Sequence, residues 1–320
     1  MSSESLDKLL CLLEVRLNAM ALCEVARGKR LLLPAAENII VHYILQGSGM
    51  LRMSDGSTAA FGPGTLVFVP RNCSHELSQT GEEQETQVWS QGASPLGDGM
   101  MKFAESGSGS AISTACGTIS ADCGGLDLFE HFREPLCEDV SRDPLVGSAF
   151  QLMLRELEEP RFGTRPLCEA LMKQCMVLAV RAQMQRGDLT LLPLGAVRDS
   201  RLLRALLAIV ERPAEDHSLD ELAKLSGMSR SLFAERFAEA FERPPMDLLR
   251  QVRLRRAANM LRSTQLPVQV IGLAVGYSSR SYFSRAFRAA YGEDPKSFRE
   301  RARSGTGSDA AAEPPVNHAP

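Results

Sequence analysis

The stretch VQVIGLAVGYSSRSYFSRAFRAAYGEDPKSFR, residues 268–299, decides the fold of the C-terminal third of this 320-residue chain. Gly276 separates two apolar-periodic segments, and the second carries Phe283 and Phe287 four residues apart on one helical face. The same pattern stands earlier in the chain. Leu219, Leu222, Ala223, Gly227 and Ser229 recur 49 positions on as Val268, Ile271, Gly272, Gly276 and Ser278. After one inserted residue the offset becomes 50, and Phe233, Phe237, Phe241 and Pro245 return as Phe283, Phe287, Tyr291 and Pro295. Each copy reads as a short helix, a glycine turn and a second amphipathic helix, which is the helix-turn-helix unit.

In the first copy Ser218-x-x-Glu221 is a capping box, Gly227 permits the positive φ of a sharp turn, and Ser229 caps the next helix. The stripe Phe233, Phe237, Phe241 leaves Arg230, Ser231, Ala234, Glu235 and Ala238 facing away from the core. In the second copy Ser278 is the expected cap, which leaves Ser279, Arg280, Ser281, Ser284, Arg285 and Arg288 available to a partner. A helix over 246–262 joins the copies and carries Arg250, Arg253, Arg255, Arg256 and Arg262. At 1.5 Å per residue it spans roughly 25 Å, to be set against the roughly 34 Å between successive major-groove turns.

Charge agrees with this reading. Residues 197–301 hold 19 Lys/Arg against 13 Asp/Glu, whereas residues 1–196 hold 16 against 24. A positive segment on an acidic chain is the part expected to meet phosphate, so double-stranded DNA is the expected partner. Arg280 and Arg285 suit guanine O6/N7.

The N-terminal two-thirds has a different rhythm. Leucines at 6, 9, 10, 13 and 17 predict an amphipathic helix over residues 1–23. Short apolar runs at 39–45, 50–53, 58–61, 65–70 and 114–120 read as strands, with hairpin signals at Asp55-Gly56 and Gly62-Pro63-Gly64. Residues 91–113, rich in Gly, Ser and Ala, read as a mobile loop. Helices are predicted at 143–159 and 165–186, and a disordered tail at 304–320.

Three stretches resemble the AraC family of bacterial regulators: Leu219–Phe237 (LDELAKLSGMSRSLFAERF), Arg253–Leu261 (RLRRAANML) and Val268–Arg299. The resemblance implies a sequence-specific DNA-binding transcription regulator, an activator with RNA polymerase as a further partner. Carried over by position, the family's base-contacting places fall on Ser231, Ala234 and Glu235 and on Arg280, Ser281, Ser284 and Arg285; Ser229, Arg230 and Arg253 complete the DNA-binding candidates. Gly272 replaces a usual helical alanine, and Glu242-Arg243 replaces a usual glycine turn.

Gly64-x5-Pro70-x-Asn72-x-x-His75 resembles the second motif of cupin barrels, with Asn72 where that family often has glycine. Residues 42–47 (HYILQG) are similar to the strand entering the cupin hairpin. The implied fold class is α+β: an N-terminal cupin-like β-barrel with flanking helices, then an all-α domain of two helix-turn-helix units joined by a long helix. The expected divisions are a sensor and dimerisation domain at 1–187, a linker at 188–197, the DNA-binding domain at 198–303 and the tail. The helices at 143–186 are the expected seam of a homodimer, as in relatives of this architecture.

A cupin metal shell needs a His-x-His pair and a carboxylate. Here His42 stands alone beside Tyr43, and Ile40 falls where the carboxylate belongs, so neither metal nor cofactor nor catalysis is expected. A metal-dependent cupin enzyme or metal-binding module with an appended helical domain is the alternative.

The sensor candidates are Cys23, Cys116, Cys73, His42 and His75. Cys23 and Cys116 are similar in position to cysteines of reactive-chlorine-responsive members of the family. Arg27, Lys29 and Arg30 stand where they could favour a Cys23 thiolate. An oxidant or a small-molecule effector, or for the cysteines and histidines simple packing in the barrel, remain open at this point. Cys168 and Cys175, seven apart with Leu171 and Leu178, read as core. With no apolar run long enough for a membrane span and no secretory leader pattern, the expected location is cytoplasmic.

Overall fold

The computed structural model describes residues 3–79, 85–88, 93–97, 100–104, 110–124, 126–127, 129, 132–187 and 199–303. The expected linker at 188–197 and tail at 304–320 lie outside the described residues. The chain forms two compact units, one of Glu14–Ala121 with Leu128–Leu192, the other of Met1–Leu13, Asp122–Asp127 and Pro193–Pro320.

The first unit is built on two sheets. One contains β1 (Leu13–Ala26), β3 (Ile39–Gln46), β6 (Thr65–Val69), β9 (Ala93–Gly97), β10 (Met100–Ala104), β11 (Ser110–Cys123) and β13 (Leu136–Asp139), together with β12 (Leu126–Asp127), whose residues are counted with the second unit. Its order is β13-β6-β3-β11-β1-β10-β9, with β12 on the end of β11. The other contains β2 (Lys29–Leu33), β4 (Gly49–Met53), β5 (Thr58–Phe61), β7 (His75–Ser78) and β8 (Glu85–Val88), in the order β5-β4-β7-β2-β8. Apolar side chains from both sheets share one core, among them Leu31, Ile44, Leu51, Val67 and Leu77. The predicted turns hold: Gly56 (φ 89°) closes the β4–β5 hairpin, and Gly64 (φ 80°) sits in the turn before β6. Asn72 takes φ 57°, which explains why glycine is usual at that place and why asparagine, which tolerates this region, substitutes for it.

Strand alternation decides what enters this core. On β3, Tyr43 stacks on Phe150 of α2 (Pro144–Glu158), with ring centroids 4.6 Å apart, and its neighbour His42 is fully buried on the opposite face. On β11, a Cβ at Gly117 would meet the Ala19 carbonyl and Leu17 of β1 at 3.3 Å and Met172 of α3 (Thr164–Arg186) at 4.0 Å, and Cys116 joins the shared core.

Two expectations are corrected. The predicted helix over 1–23 ends early: α1 is Ser3–Cys11, and β1 begins at Leu13. Leu13, Val15 and Leu17 are buried in alternation, so the leucine spacing that suits a helix suits a strand equally well, and the pairing of β1 with β10 and β11 decides. The segment 91–113 is not a loop throughout. Ala93–Gly97 and Met100–Ala104 are paired strands, and β10 runs parallel to β1 with Cys23 opposite Phe103. Sheet pairing overrides weak local propensity there.

The second unit is helical. After α4 (Ser200–Glu211) come α5 (Leu219–Leu225) and α6 (Arg230–Phe241), the long α7 (Pro245–Ser263), then α8 (Val268–Ala274), α9 (Arg280–Tyr291) and α10 (Pro295–Arg303). The capping box is present, with Ser218 Oγ accepting from Glu221 N and the Glu221 carboxylate accepting from Ser218 N. Gly227 (φ 62°) and Gly276 (φ 90°) make the two turns. Phe233, Phe237, Phe283 and Phe287 are wholly buried, each stabilising its helix pair by roughly 1.5–3 kcal/mol. The cap of α9 is Ser279, whose hydroxyl accepts from Tyr282 N, not Ser278 as the 49-residue offset suggested. The inserted residue therefore falls between the turn and the cap, and Ser229 pairs with Ser279 at the 50-residue offset. Among the described residues no helix is long and apolar enough to cross a membrane.

Candidate nucleic-acid interface and buried thiol cluster

The buried phenylalanines turn the opposite faces of α6 and α9 outward. On α6, Arg230, Ser231 and Glu235 are exposed and Ala234 is half-buried; Ser229 caps the helix by accepting from Leu232 N. Arg230 lies 3.6 Å from Asp220. On α9, Arg280, Ser281, Arg285 and Arg288 are exposed and Ser284 is half-buried. The second unit thus presents three exposed arginines on one short helix, the first a mixed face.

The arginines of α7 behave differently. Arg253 Nε donates to the carbonyl of Pro213 at 2.7 Å and its Nη2 to that of Glu215 at 2.8 Å, with the guanidinium 6.0 Å from the Tyr277 ring centre. Arg255 pairs with buried Asp127 at 3.9 Å, and Arg262 lies over Phe298 at 4.9 Å. These three side chains fasten the helical unit together.

The five sensor candidates are also placed by their strands. β1 and β11 are neighbours, and β11 pairs with β3 so that Cys116 faces His42. The Sγ atoms of Cys23 and Cys116 lie 2.7 Å apart, without a covalent bond. His42 Nδ1 is 2.9 Å from Cys116 Sγ, and its Nε2 is 2.8 Å from Nε2 of His75 on the other sheet. Cys23 and His42 have no exposed surface, His75 has 1% and Cys116 5%. Cys73, two residues before His75, is half-buried against the same core.

Burial pushes the Cys23 thiol up, helped by its hydrogen bond to Cys116 and by the charge there. Burial opposes ionisation of Cys116 as well. The Cys23 thiol, the charge and hydrogen bond of His42 and a contact with Thr114 outweigh it and bring Cys116 down to about 6. The expectation that Arg27, Lys29 and Arg30 would favour a Cys23 thiolate is therefore corrected: Cys116, facing an imidazole, is the acidic sulfur. Burial and the charge on His42 lower His75 to about 2, against a small opposing effect of the Cys73 backbone. Cys168 and Cys175 are buried in α3, with burial pushing them up to about 11 and about 12.

His42 uses both ring nitrogens, one toward Cys116 and one toward His75, so the four donors form a chain instead of converging on a point. Among the described residues no group of three or more His, Cys, Asp or Glu is arranged to hold an ion. The residues present do not fit a cupin metal centre. Sequence reasoning found all four members of the cluster but not the His42–His75 contact, which depends on how two sheets stack.

A cupin-like β unit followed by two helix-turn-helix units defines a DNA-binding transcription regulator. The chain belongs to the AraC family of regulators with an N-terminal cupin domain: residues 5–185 match the cupin family and residues 222–301 the helix-turn-helix domain family. Among its relatives is the HTH-type transcriptional regulator MtrA of Neisseria gonorrhoeae, 28% identical over 82% of this chain and 86% of that protein. The RCS-specific HTH-type transcriptional activator RclR of Escherichia coli is 28% identical over 82% of this chain and 84% of its own length. The HTH-type transcriptional regulator AlkR of Acinetobacter baylyi is 28% identical over 83% and 89%.

Proposed function

We propose that this regulator is an activator whose N-terminal unit responds to an oxidant through Cys23 and Cys116. The observation that carries the reading is a buried, unjoined pair of sulfurs 2.7 Å apart, one held acidic, against its burial, by the neighbouring thiol and by an imidazole. Thiol sensing is favoured by a thiolate beside a second thiol, and the arrangement of Cys23 and Cys116 supports that reading. The resemblance to RclR supports the same direction. The protein then works as a regulator and not as an enzyme, in the cytoplasm, with RNA polymerase as the further partner.

DNA contact is assigned to Arg280, Ser281, Ser284 and Arg285 in the second unit and to Ser229, Arg230, Ser231, Ala234 and Glu235 in the first. The three exposed arginines of α9 favour the second unit as the stronger reader. Arg253 is reassigned to holding the fold, since carbonyl groups occupy its guanidinium. A homodimer through α2 and α3 presents four such units to paired sites; Leu145, Leu152 and Leu167 are exposed on these helices.

The test is a mobility-shift assay on DNA upstream of the gene and its neighbours, with reduced and hypochlorous-acid-treated protein. A salt-sensitive specific complex that changes with oxidation, and ceases to change in Cys23→Ser and Cys116→Ser, is expected. An unchanged response in the double variant would overturn the thiol reading.

A further inference from the structure

We propose that His42, oriented by His75, is the positioning residue that makes Cys116 the attacking sulfur and leaves Cys23 as the resolving thiol. This rests on the thiol reading above and assigns an order to its chemistry. The two sulfurs are near-equivalent in burial, so exposure does not choose between them. Their neighbours do. Cys116 has an imidazole nitrogen at 2.9 Å, whereas the Cys23 sulfur hydrogen-bonds to Cys116.

The imidazole pair fixes which way the proton runs. Two ring nitrogens 2.8 Å apart must share one hydrogen, so one donates and the other accepts. His75 is kept neutral chiefly by burial, and with its hydrogen on Nδ1, the nitrogen toward the Cys73 backbone, its Nε2 accepts from the His42 Nε2–H. The lone pair at His42 Nδ1 then faces the Cys116 thiol and takes its proton. The resulting imidazolium donates back to the thiolate, as a histidine beside a reactive cysteine does.

Because the cluster has almost no exposed surface, the oxidant it admits is small and uncharged. Hypochlorous acid meets that description. The Cys116 thiolate attacks chlorine, an S–Cl bond forms and the O–Cl bond breaks; the departing hydroxide takes the proton from His42 and leaves as water. The Cys23 sulfur then attacks Cys116, an S–S bond forms and the S–Cl bond breaks. Chloride departs, and the Cys23 proton passes to His42. Two thiols lose two electrons, and chlorine gains them.

The experiment uses the full chain and peptide mass spectrometry to locate each product. Alkylation of Cys116 is followed against pH in Cys23→Ser, with and without His42→Ala. The other titratable groups around this sulfur are Cys23, His42 and His75, with Cys73 and Cys137 packed against the same core. Adding His42→Ala is expected to move the midpoint up by at least about one unit, toward the ordinary thiol value of about 8.5. The midpoint is the readout because nucleophilicity rises with thiol pKa and offsets much of the change in rate at any one pH. His75→Gln is expected to move it in the same direction by less. In Cys23→Ser, with no resolving thiol, water replaces chloride on Cys116 to give HCl and the sulfenic acid, which dimedone is expected to trap; in Cys116→Ser, Cys23 is expected to be labelled at least tenfold more slowly.

An unmoved midpoint in both histidine variants, or equal labelling of the two cysteines, would overturn the assignment. Should His42→Ala fail to fold, as circular dichroism would reveal, the His75→Gln midpoint and the dimedone comparison decide. Absence of any Cys23–Cys116 disulfide in the oxidised wild type would instead defeat the underlying thiol reading. The two failures are thus separate.

Discussion

Cys23 Sγ lies 2.7 Å from Cys116 Sγ across 93 residues of chain. The contact arises because β1 and β11 are neighbouring strands, each placing its cysteine in the core shared by both sheets. Local chain geometry does not produce it; the sheet order does.

Stability should fall with acid on account of His75. Its folded value of about 2 lies below the ordinary 6.5, so between these limits the unfolded chain binds a proton that the folded chain does not. Folding free energy then drops by about 1.4 kcal/mol for each pH unit below 6.5. Urea unfolding followed by circular dichroism at pH 6 and pH 5 should show this slope in the wild type, and a slope smaller by about that amount in His75→Gln.

Arg253 and Arg285 should separate stability from recognition. Arg253→Ala removes two hydrogen bonds to carbonyl groups and is expected to destabilise the helical unit by about 1–3 kcal/mol. Arg285→Ala, at an exposed place on α9, should leave stability within about 0.5 kcal/mol while weakening specific DNA binding by about 1–3 kcal/mol. Thermal unfolding and mobility-shift titration of the same two proteins make the comparison.

The helix ends at 242 and 292 offer a matched pair. Glu242 (φ 53°) and Gly292 (φ 74°) both end a recognition helix in the left-handed region. Glu242→Gly should stabilise by up to about 1 kcal/mol, the strain relieved less the added chain entropy. Gly292→Ala should destabilise by about 1 kcal/mol; a Cβ there meets nothing within 4 Å, so the cost is conformational alone. Urea midpoints would show both signs.

Cys168 and Cys175 should be silent. With burial raising them to about 11 and about 12, they are expected to resist iodoacetamide at pH 8 in the native protein while Cys116 reacts, as footprinting by mass spectrometry would show.

The helical unit was largely legible in the sequence. Glycine at 227 and 276, the Ser218–Glu221 box and the phenylalanine stripe are local signals, and they placed α7 to within a residue at each end. The strands at 39–46 and 65–69 were legible for the same reason. β1 was not, because Leu13 and Leu17 satisfy both a helical and an alternating pattern. β9 and β10 were hidden because partners elsewhere in the sheet, not their own side chains, make them strands. The five sensor candidates were named in the sequence, but the direction of the acidity, toward Cys116 and away from Cys23, needed the register of β11 on β3.

His42 and His75 form a polar rivet through two apolar slabs. The ring that feels the charge on one sulfur also grips the opposite wall, so gaining or losing that charge alters how tightly the walls are clasped. On the proposed thiol reading, a reaction sealed from water would register as a change of fit, and the interior of the molecule would become its own gauge.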